Sequence, residues 1–373
     1  MIRVKRIRLY PTGEQEEKMW KSVGTARFIY NWTLGKQQEN YKQGGKFICD
    51  NELRKQITNL KKSDLVWLNE VSNNVAKQAV KDGCDAYKKF FKGMTERPRF
   101  KSRKKTKPSF YNDTSKLKVN AKAVLLEKIG WVTIRPNQLP LSPCKYINPR
   151  ISFDGKYWYL SIGLDQEQPY VELTGESIGI DVGIKDLAIC SNGMTFKNIN
   201  RTRVIRQMEK RLRRLQRKVS NKYQQNKNGK EYVKTSNIIK LERKIKLLHR
   251  RLANIRVNHL HQVTNRIVKT KPSQIVMETL NIKDMMKNRH LSKAIAQQCL
   301  YEFKRQIQYK CEWNGIACIE ADKWFASSKI CSGCGNKKQK LSLSERVYKC
   351  DSCGLVIDRD YNASLNLSRY ELA

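Results

Sequence analysis

Residues Ile2 to Tyr10 alternate apolar and basic positions. That is the period of a strand with one face on a core, and Pro11 ends it. Thr12 is placed to cap a helix beginning near Glu14, and helical spacing then runs to about Gln43, where Gly44-Gly45 breaks it. A second helical stretch is predicted over roughly Glu70 to Lys92. It puts Val71, Val75, Ala79 and Val80 on one side and Asn73, Asn74, Lys77 and Lys81 on another. From Leu117 to Leu164 the pattern changes to short runs: Ala123 to Leu126, Trp131 to Ile134, Ile151 to Phe153 and Tyr157 to Ile162. Turns at Asp154-Gly155 and near Pro136 separate them. With the opening strand they predict a small β-barrel or sandwich that has helices inserted after its first strand.

The second half has a different rhythm. Residues 178 to 190 read as an apolar strand, a tight glycine turn and a second apolar strand. Ile205, Met208, Leu212 and Leu215, then Leu241, Ile245, Leu248, Leu252 and Ile255, recur at steps of three and four. Two such blocks joined by the polar stretch Lys222 to Lys234 predict an antiparallel helical hairpin. Ile275 to Met277 is a short apolar strand running into Glu278. A helix near Ser292 to Trp313, a strand at Ile316 to Ile319 and a closing helix from about Asn362 follow. No apolar run approaches the ~18 residues that span a bilayer. The alternating start lacks the continuous apolar stretch of a signal peptide, so the chain reads as intracellular.

Charge narrows the partners. Lys and Arg number 75 against 34 Asp and Glu, a formal net charge of +41. Such an excess repels itself unless a polyanion offsets it, and nucleic acid is the polyanion that rewards it with counterion release. An anionic membrane is the competing partner. The basic residues are spread along the chain rather than gathered on one amphipathic tail, which favours nucleic acid. Residues 201 to 250 hold eighteen Lys or Arg and three Glu, a one-signed exterior for the predicted hairpin. Residues 97 to 108, with Arg97, Arg99, Phe100 and Lys101, form a basic loop suited to phosphates, or else a solvated linker.

Seven of the eleven cysteines (Cys49, Cys84, Cys144, Cys190, Cys299, Cys311 and Cys318) lack tight spacing and are expected as small buried apolar side chains. The other four form two knuckles, Cys331-x-x-Cys334 and Cys350-x-x-Cys353, fifteen residues apart and each followed by Gly. Four thiolates at this spacing suit a closed tetrahedral zinc shell, hence a structural metal. Disulfides are the alternative, disfavoured in a reducing compartment.

Three carboxylates stand in informative places. Asp181 lies in an apolar strand, Glu278 ends another, and Asp360 sits where the last helix starts. A charge in such a strand is costly unless it is paired or holds a cation. Three converging carboxylates suit magnesium or manganese, and two such ions can hydrolyse a phosphodiester. Taken singly, each acid is as well explained as a turn former or an ion-pair partner.

The ordered set of motifs resembles the TnpB family of insertion-sequence proteins. Gly179-Ile180-Asp181-Val182-Gly183-Ile184-Lys185-Asp186-Leu187-Ala188 is similar to the first motif of its RuvC-type nuclease domain. Met277-Glu278-Thr279-Leu280-Asn281-Ile282 is similar to the second, and the cysteine cluster followed by Asp358-Arg359-Asp360-Tyr361-Asn362-Ala363 to the third. Arg8-Leu9-Tyr10-Pro11, Gly24-x-x-Arg27-x-x-Tyr30-Asn31 and Pro98-Arg99-Phe100-Lys101 extend the likeness through the first half. Thr279 stands where an acid is common.

The resemblance implies an α+β multidomain fold. A β-barrel wedge domain (1–10 and 117–172) would carry an inserted helical recognition domain (11–116). A split RNase H-like RuvC domain (173–373) would follow, with a helical hairpin at about 201–270 and a zinc ribbon at about 328–356. It implies an RNA-guided, magnesium- or manganese-dependent DNA endonuclease of a transposable element, in a prokaryotic cytoplasm near the nucleoid. Asp181, Glu278 and Asp360 would be its metal-holding catalytic acids, and Cys331, Cys334, Cys350 and Cys353 its structural zinc ligands. Residues 281–293 would be a mobile segment near the site. Its partners would be a guide RNA from the transposon end and target double-stranded DNA, bound by a monomer and no membrane. Asn73, Asn74 and Lys77 are candidates for reading the adjacent DNA motif, with Arg97, Arg99 and Lys101 as further nucleic-acid contacts and Arg27, Tyr30 and Asn31 as either nucleic-acid contacts or structural residues. Competing readings are a guided repressor that no longer cuts, a CRISPR-associated effector, and a strand-joining transposase.

Overall fold

The computed structural model describes residues 1–140, 145–168, 170–229, 231–342 and 345–370. The chain divides into two compact units, Met1–Glu167 and Gln168–Ala373.

In the first unit β1 (Ile2–Tyr10) leads into α1 (Gly13–Lys42), α2 (Asp50–Leu60) and α3 (Asn73–Phe91). Thr12 and Gln15 form a reciprocal capping box that starts α1, each side chain bonding the other's backbone amide at 3.1–3.3 Å. Six further strands follow: β2 (Ser109–Tyr111), β3 (Lys118–Val119), β4 (Ala123–Leu126), β5 (Gly130–Ile134), β6 (Tyr146–Phe153) and β7 (Trp158–Asp165). They pair antiparallel with β1 in the order β2-β6-β7-β1-β5-β4-β3. Alternate residues of β1, β4, β5 and β7 point into one core with Phe110 and Ile151. Asn112, just past β2, accepts at 3.0 Å from the amide of Glu127, just past β4, so the sheet curls its two ends together. The helices close a second core on Ile29, Leu53, Leu68, Ala76, Val80 and Cys84.

The second unit is built on the five-stranded sheet β10-β9-β8-β13-β14. Its members are β8 (Ser177–Val182), β9 (Asp186–Cys190), β10 (Thr195–Lys197), β13 (Gln274–Glu278) and β14 (Ala317–Ala321). β8, β9 and β10 meander antiparallel, whereas β13 and β14 run parallel to β8. Between β10 and β13 lies the predicted hairpin, α4 (Arg203–Gln225) and α5 (Ser236–Val268), with the two-residue strands β11 (Lys227–Asn228) and β12 (Glu231–Tyr232) near its tip. Ile205, Met208, Leu212, Ile245, Leu248, Leu252 and Ile255 fill its seam. Short α6 (Ile282–Met285) precedes α7 (Ser292–Gln298) and α8 (Leu300–Asn314). β15 (Val347–Lys349) and β16 (Val356–Asp358) form the cysteine ribbon, and α9 (Arg359–Ser368) ends the unit.

Two expectations need correction. The helix predicted over Ser292 to Trp313 is broken at Cys299, whose φ is 55°. The cysteines outside the knuckles are not uniformly buried. Cys84, Cys190 and Cys311 are buried, but Cys49 is exposed at the start of α2, and Cys299 and Cys318 are half-buried. Cys144 lies outside the described residues. Local composition tells a thiol's size but not which surface covers it.

Candidate active site

Strand register brings the first two acids together. Val276 pairs with Gly179 and Met277 with Ile180 in parallel β13 and β8. Continuing that register sets Glu278 beside Asp181, on strands ~4.8 Å apart. The third acid arrives by packing. Gly179, two residues before Asp181, shares its face of β8, and α9 lies on that face. A Cβ at Gly179 would stand 2.0 Å from the Ser364 carbonyl oxygen and 2.3 Å from the Ser368 nitrogen. Only a glycine admits the helix at that distance. Asp360, one turn before Ser364, thus comes over the strand carboxylates.

The electrostatics record the convergence. Asp181 is partly exposed, yet dense surroundings push its carboxyl well above the usual range. Burial is the main cause, Glu278 and Asp360 add repulsion, and Arg359 opposes them. Asp358 is engaged otherwise: it caps α9, its Oδ1 accepting from the amides of Asp360 and Tyr361 at 3.0 Å. Asp360 takes Arg359 at 2.9 Å and Arg346 at 3.5 Å. Glu278 accepts a hydrogen bond from the buried hydroxyl of Ser327. The hydroxyl of Thr279 donates to the Ala321 carbonyl at 2.7 Å, so the residue found where an acid is common ties β13 to β14.

The chemistry of this donor set suits a hard divalent cation, since Glu278 and Asp360 both raise the proton affinity of recessed Asp181. The three carboxylates are not gathered as closely as the sulfurs of the knuckle cysteines, and Asp360 is held by Arg359 and Arg346.

The four knuckle cysteines fit a structural zinc site. Their sulfurs all lie within 4.8 Å of one another, with Cys331–Cys353 and Cys334–Cys350 at 3.6 Å. Tetrahedral zinc at ~2.3 Å from each sulfur requires sulfurs ~3.8 Å apart. Gly335 and Gly354 take φ of 77° and 73°, the left-handed turn each knuckle needs. The ribbon is clasped to α9. Buried Asn362 accepts from the Ser332 amide at 2.9 Å and donates to the Ile330 carbonyl at 2.7 Å. Asn366 donates to the carbonyls of Ser327 and Ile330, both at 2.7 Å. The cysteine ribbon is therefore anchored to the helix that carries Asp360.

Comparison with known proteins identifies this architecture. A family described as "Probable transposase" matches residues 161–289, "Cas12f1-like, TNB domain" matches 301–367, and "Helix-turn-helix domain" matches 1–46. A Streptomyces pristinaespiralis protein named "Putative RNA-guided DNA endonuclease" is 30% identical over 98% of this chain and 88% of its own length. "TnpB-like protein L79" of Acanthamoeba polyphaga mimivirus is 22% identical over 100% of this chain and 74% of its own. The chain belongs to the TnpB family. Its fold is also similar to Cas12f1 in a solved Cas12f1–sgRNA–target DNA complex, with a TM-score of 0.59 at 13% identity over 99% of this chain and 98% of that one. No helix among the described residues is long and apolar enough to cross a membrane.

In this TnpB chain a polar network joins the hairpin to the end of β8, which carries Asp181. Arg256 of α5 bonds Glu209 of α4 and the side chain of Asn200, each at 2.7 Å. Asn200 donates to the Gln297 carbonyl at 3.0 Å and to buried Gln298 at 3.3 Å. Gln298 donates at 2.9 Å to the carbonyl of Gly183, two residues past Asp181. The break at Cys299 follows directly. The hairpin bears clustered cations: Arg211, Arg214 and Arg251 line one groove, and Arg201, Arg203, Arg206 and Lys210 another.

The expected nucleic-acid residues fall into two sets. Tyr30, Asn31 and Lys101 make a clasp: Asn31 exchanges bonds of 2.7 and 2.9 Å with the Lys101 backbone, and the Lys101 ammonium lies 3.6 Å from the Tyr30 ring centre. That clasp holds the basic loop on α1, with Arg97 and Arg99 exposed and Arg27 half-buried. On α3, Asn73 accepts from Lys61 at 2.6 Å and Asn74 donates to Glu127 at 3.0 Å. Asn73 and Lys77 line a groove with Arg54 and Thr58 of α2. Gly179 and Asn362 stand in the motifs without an assigned role, and Ser327, Asn366 and Gln298 are not singled out in the sequence at all. The strand period links Gly179 to Asp181, and i,i+4 spacing links Asn362 to Asn366; for Ser327 and Gln298 no local signal exists.

Proposed function

We propose that this chain is an RNA-guided DNA endonuclease of a transposable element, cutting target DNA beside a short adjacent motif by two-metal phosphodiester hydrolysis. The carrying observation is the meeting of Asp181, Glu278 and Asp360 in a member of the TnpB family. These three acids would hold magnesium or manganese, and the cations would supply Lewis acidity to the phosphodiester and to the attacking water. The chain's own part is to place and aim the carboxylates, since burial and mutual repulsion work against charge on Asp181. Ser327 orients Glu278, the Asp358 cap orients the backbone at Asp360, and Gly179 admits α9.

Zinc would be held by Cys331, Cys334, Cys350 and Cys353, with a structural role. The guide would come from the transposon end, base pairing would read the target, and the protein would act as a monomer with its RNA in the cytoplasm. Asn73, Asn74 and Lys77 would read the adjacent motif, while Arg27, Arg97 and Arg99 would grip phosphates and Tyr30, Asn31 and Lys101 would hold their loop in place. The test is to sequence the RNA that co-purifies at moderate salt. One defined species ending in a variable segment is expected, and it should direct cutting of a matching plasmid. Only heterogeneous cellular RNA would overturn guided recognition.

A further inference from the structure

Trp324 has no part in the site as described, yet its surroundings point to one. The residue is 81% exposed, unusual for a type that normally hides most of its surface. The segment carrying it is tethered at both ends to one catalytic acid. Ala321, where it begins, is the register partner of Glu278. Ser327, where it ends, donates to the Glu278 carboxylate. Trp324 stands three residues from each anchor. A chain covers at most ~3.6 Å per residue, so its Cα lies within about 11 Å of both.

The segment is also held in shape. Asp322 accepts from the Trp324 amide at 2.7 Å, and the Asp322 amide donates to the Tyr370 hydroxyl at 3.1 Å. Phe325 packs edge-on against Tyr370 at 4.9 Å. The rigid turn thus directs Phe325 inward and leaves Trp324 out, with the Lys323 ammonium 5.1 Å from its ring centre. An aromatic face beside a cation, at the carboxyl edge of a nuclease sheet, matches the elements that hold single-stranded nucleic acid: a ring for a base and a charge for a phosphate.

We propose that Trp324 is a stacking platform for a base of the DNA strand that enters the carboxylate site, with Lys323 neutralising a neighbouring phosphate. This rests on the endonuclease reading. The experiment uses the protein–RNA complex carrying Asp181→Asn, which cannot cut, and single-stranded DNA with 2-aminopurine stepped along its length. Stacking on Trp324 quenches the probe at one or two positions. Trp324→Ala should remove that quenching and weaken binding by on the order of 10- to 100-fold, whereas Trp324→Phe should restore most of it. Lys323→Gln should lower the salt slope by about 0.7 and leave the quenched position unchanged.

In the cutting-competent protein, Trp324→Ala should raise KM more than it lowers kcat. Unchanged quenching and affinity in Trp324→Ala would overturn the platform. So would a change of oligomeric state with DNA affinity intact, which would assign the indole to a protein contact. Position-specific quenching in a protein whose wild type cuts nothing would support the platform and count against the endonuclease reading alone.

Discussion

Gly179→Ala is the sharpest perturbation of the site that touches no acid. An added Cβ would stand 2.0 Å from the Ser364 carbonyl oxygen, 2.3 Å from the Ser368 nitrogen and 2.8 Å from the Leu367 Cβ. The first two are backbone atoms of α9, so no side chain can swing aside. Contacts below 3.0 Å are essentially never adopted, so the helix must retreat by at least about 1 Å. Asp360 retreats with it. Misplacing a reacting group by ~1 Å costs on the order of 100-fold in rate. Overpacking of this kind costs ~1–3 kcal/mol, and ~2–4 °C per kcal/mol lowers the melting temperature by about 2–12 °C.

The assay compares single-turnover plasmid cutting by Gly179→Ala and by Gly175→Ala, whose Cβ would meet nothing within 4 Å. Zinc content and retained RNA are measured on both. The expected result is a cutting defect in Gly179→Ala alone, with zinc and RNA unchanged. Wild-type cutting by Gly179→Ala would refute the claim that close packing of α9 on β8 places Asp360.

Two further outcomes test the supports around the site. Asn362→Ala deletes both bonds of a buried side chain and orphans the Ser332 amide. About 2–5 kcal/mol should be lost in urea unfolding, and zinc should leave faster to a chelator; an unchanged zinc off-rate would deny that the ribbon and α9 are coupled. Lys310, buried between α8 and α5 against Thr264 at 2.7 Å, is pushed down to about 8 by burial. The folded state therefore holds this proton less tightly than the unfolded chain, so stability rises as pH climbs from about 8 to the ordinary lysine value near ~10.4. In Lys310→Met that part of the rise should vanish, by up to about 3 kcal/mol in pH-dependent denaturation; identical slopes for both proteins would contradict it.

Elements with a strong period were legible in the chain. β1, β4, β5 and the two hairpin helices show their buried faces directly, and the Thr12 cap marks the start of α1. α2 was not, because it buries only Leu53 and Ile57. The break at Cys299 was hidden for another reason: no glycine or proline marks it, and the buried glutamine before it bonds a turn distant in sequence. The acids were legible as expensive charges in apolar strands, and as motifs. Their meeting was not, since it depends on the parallel register of β8 with β13 and on the depth to which α9 sinks. Asp358, the other acid of the third motif, is engaged instead as the cap of α9. The loop residues Tyr30, Asn31 and Lys101 show the opposite case, polar and aromatic groups that join a loop to a helix.

Asp181, Glu278 and Asp360 are expected to act as one cation-holding unit that cuts guided DNA. The direct measurement is cutting of a guide-matched plasmid by the purified protein–RNA complex in magnesium, for wild type and for Asp181→Ala, Glu278→Gln and Asp360→Asn. Wild type should give linear product, and none without magnesium, with losses of at least about 1,000-fold in each variant and DNA binding retained. Wild-type binding without cutting, or cutting that survives Asp181→Ala, would contradict it.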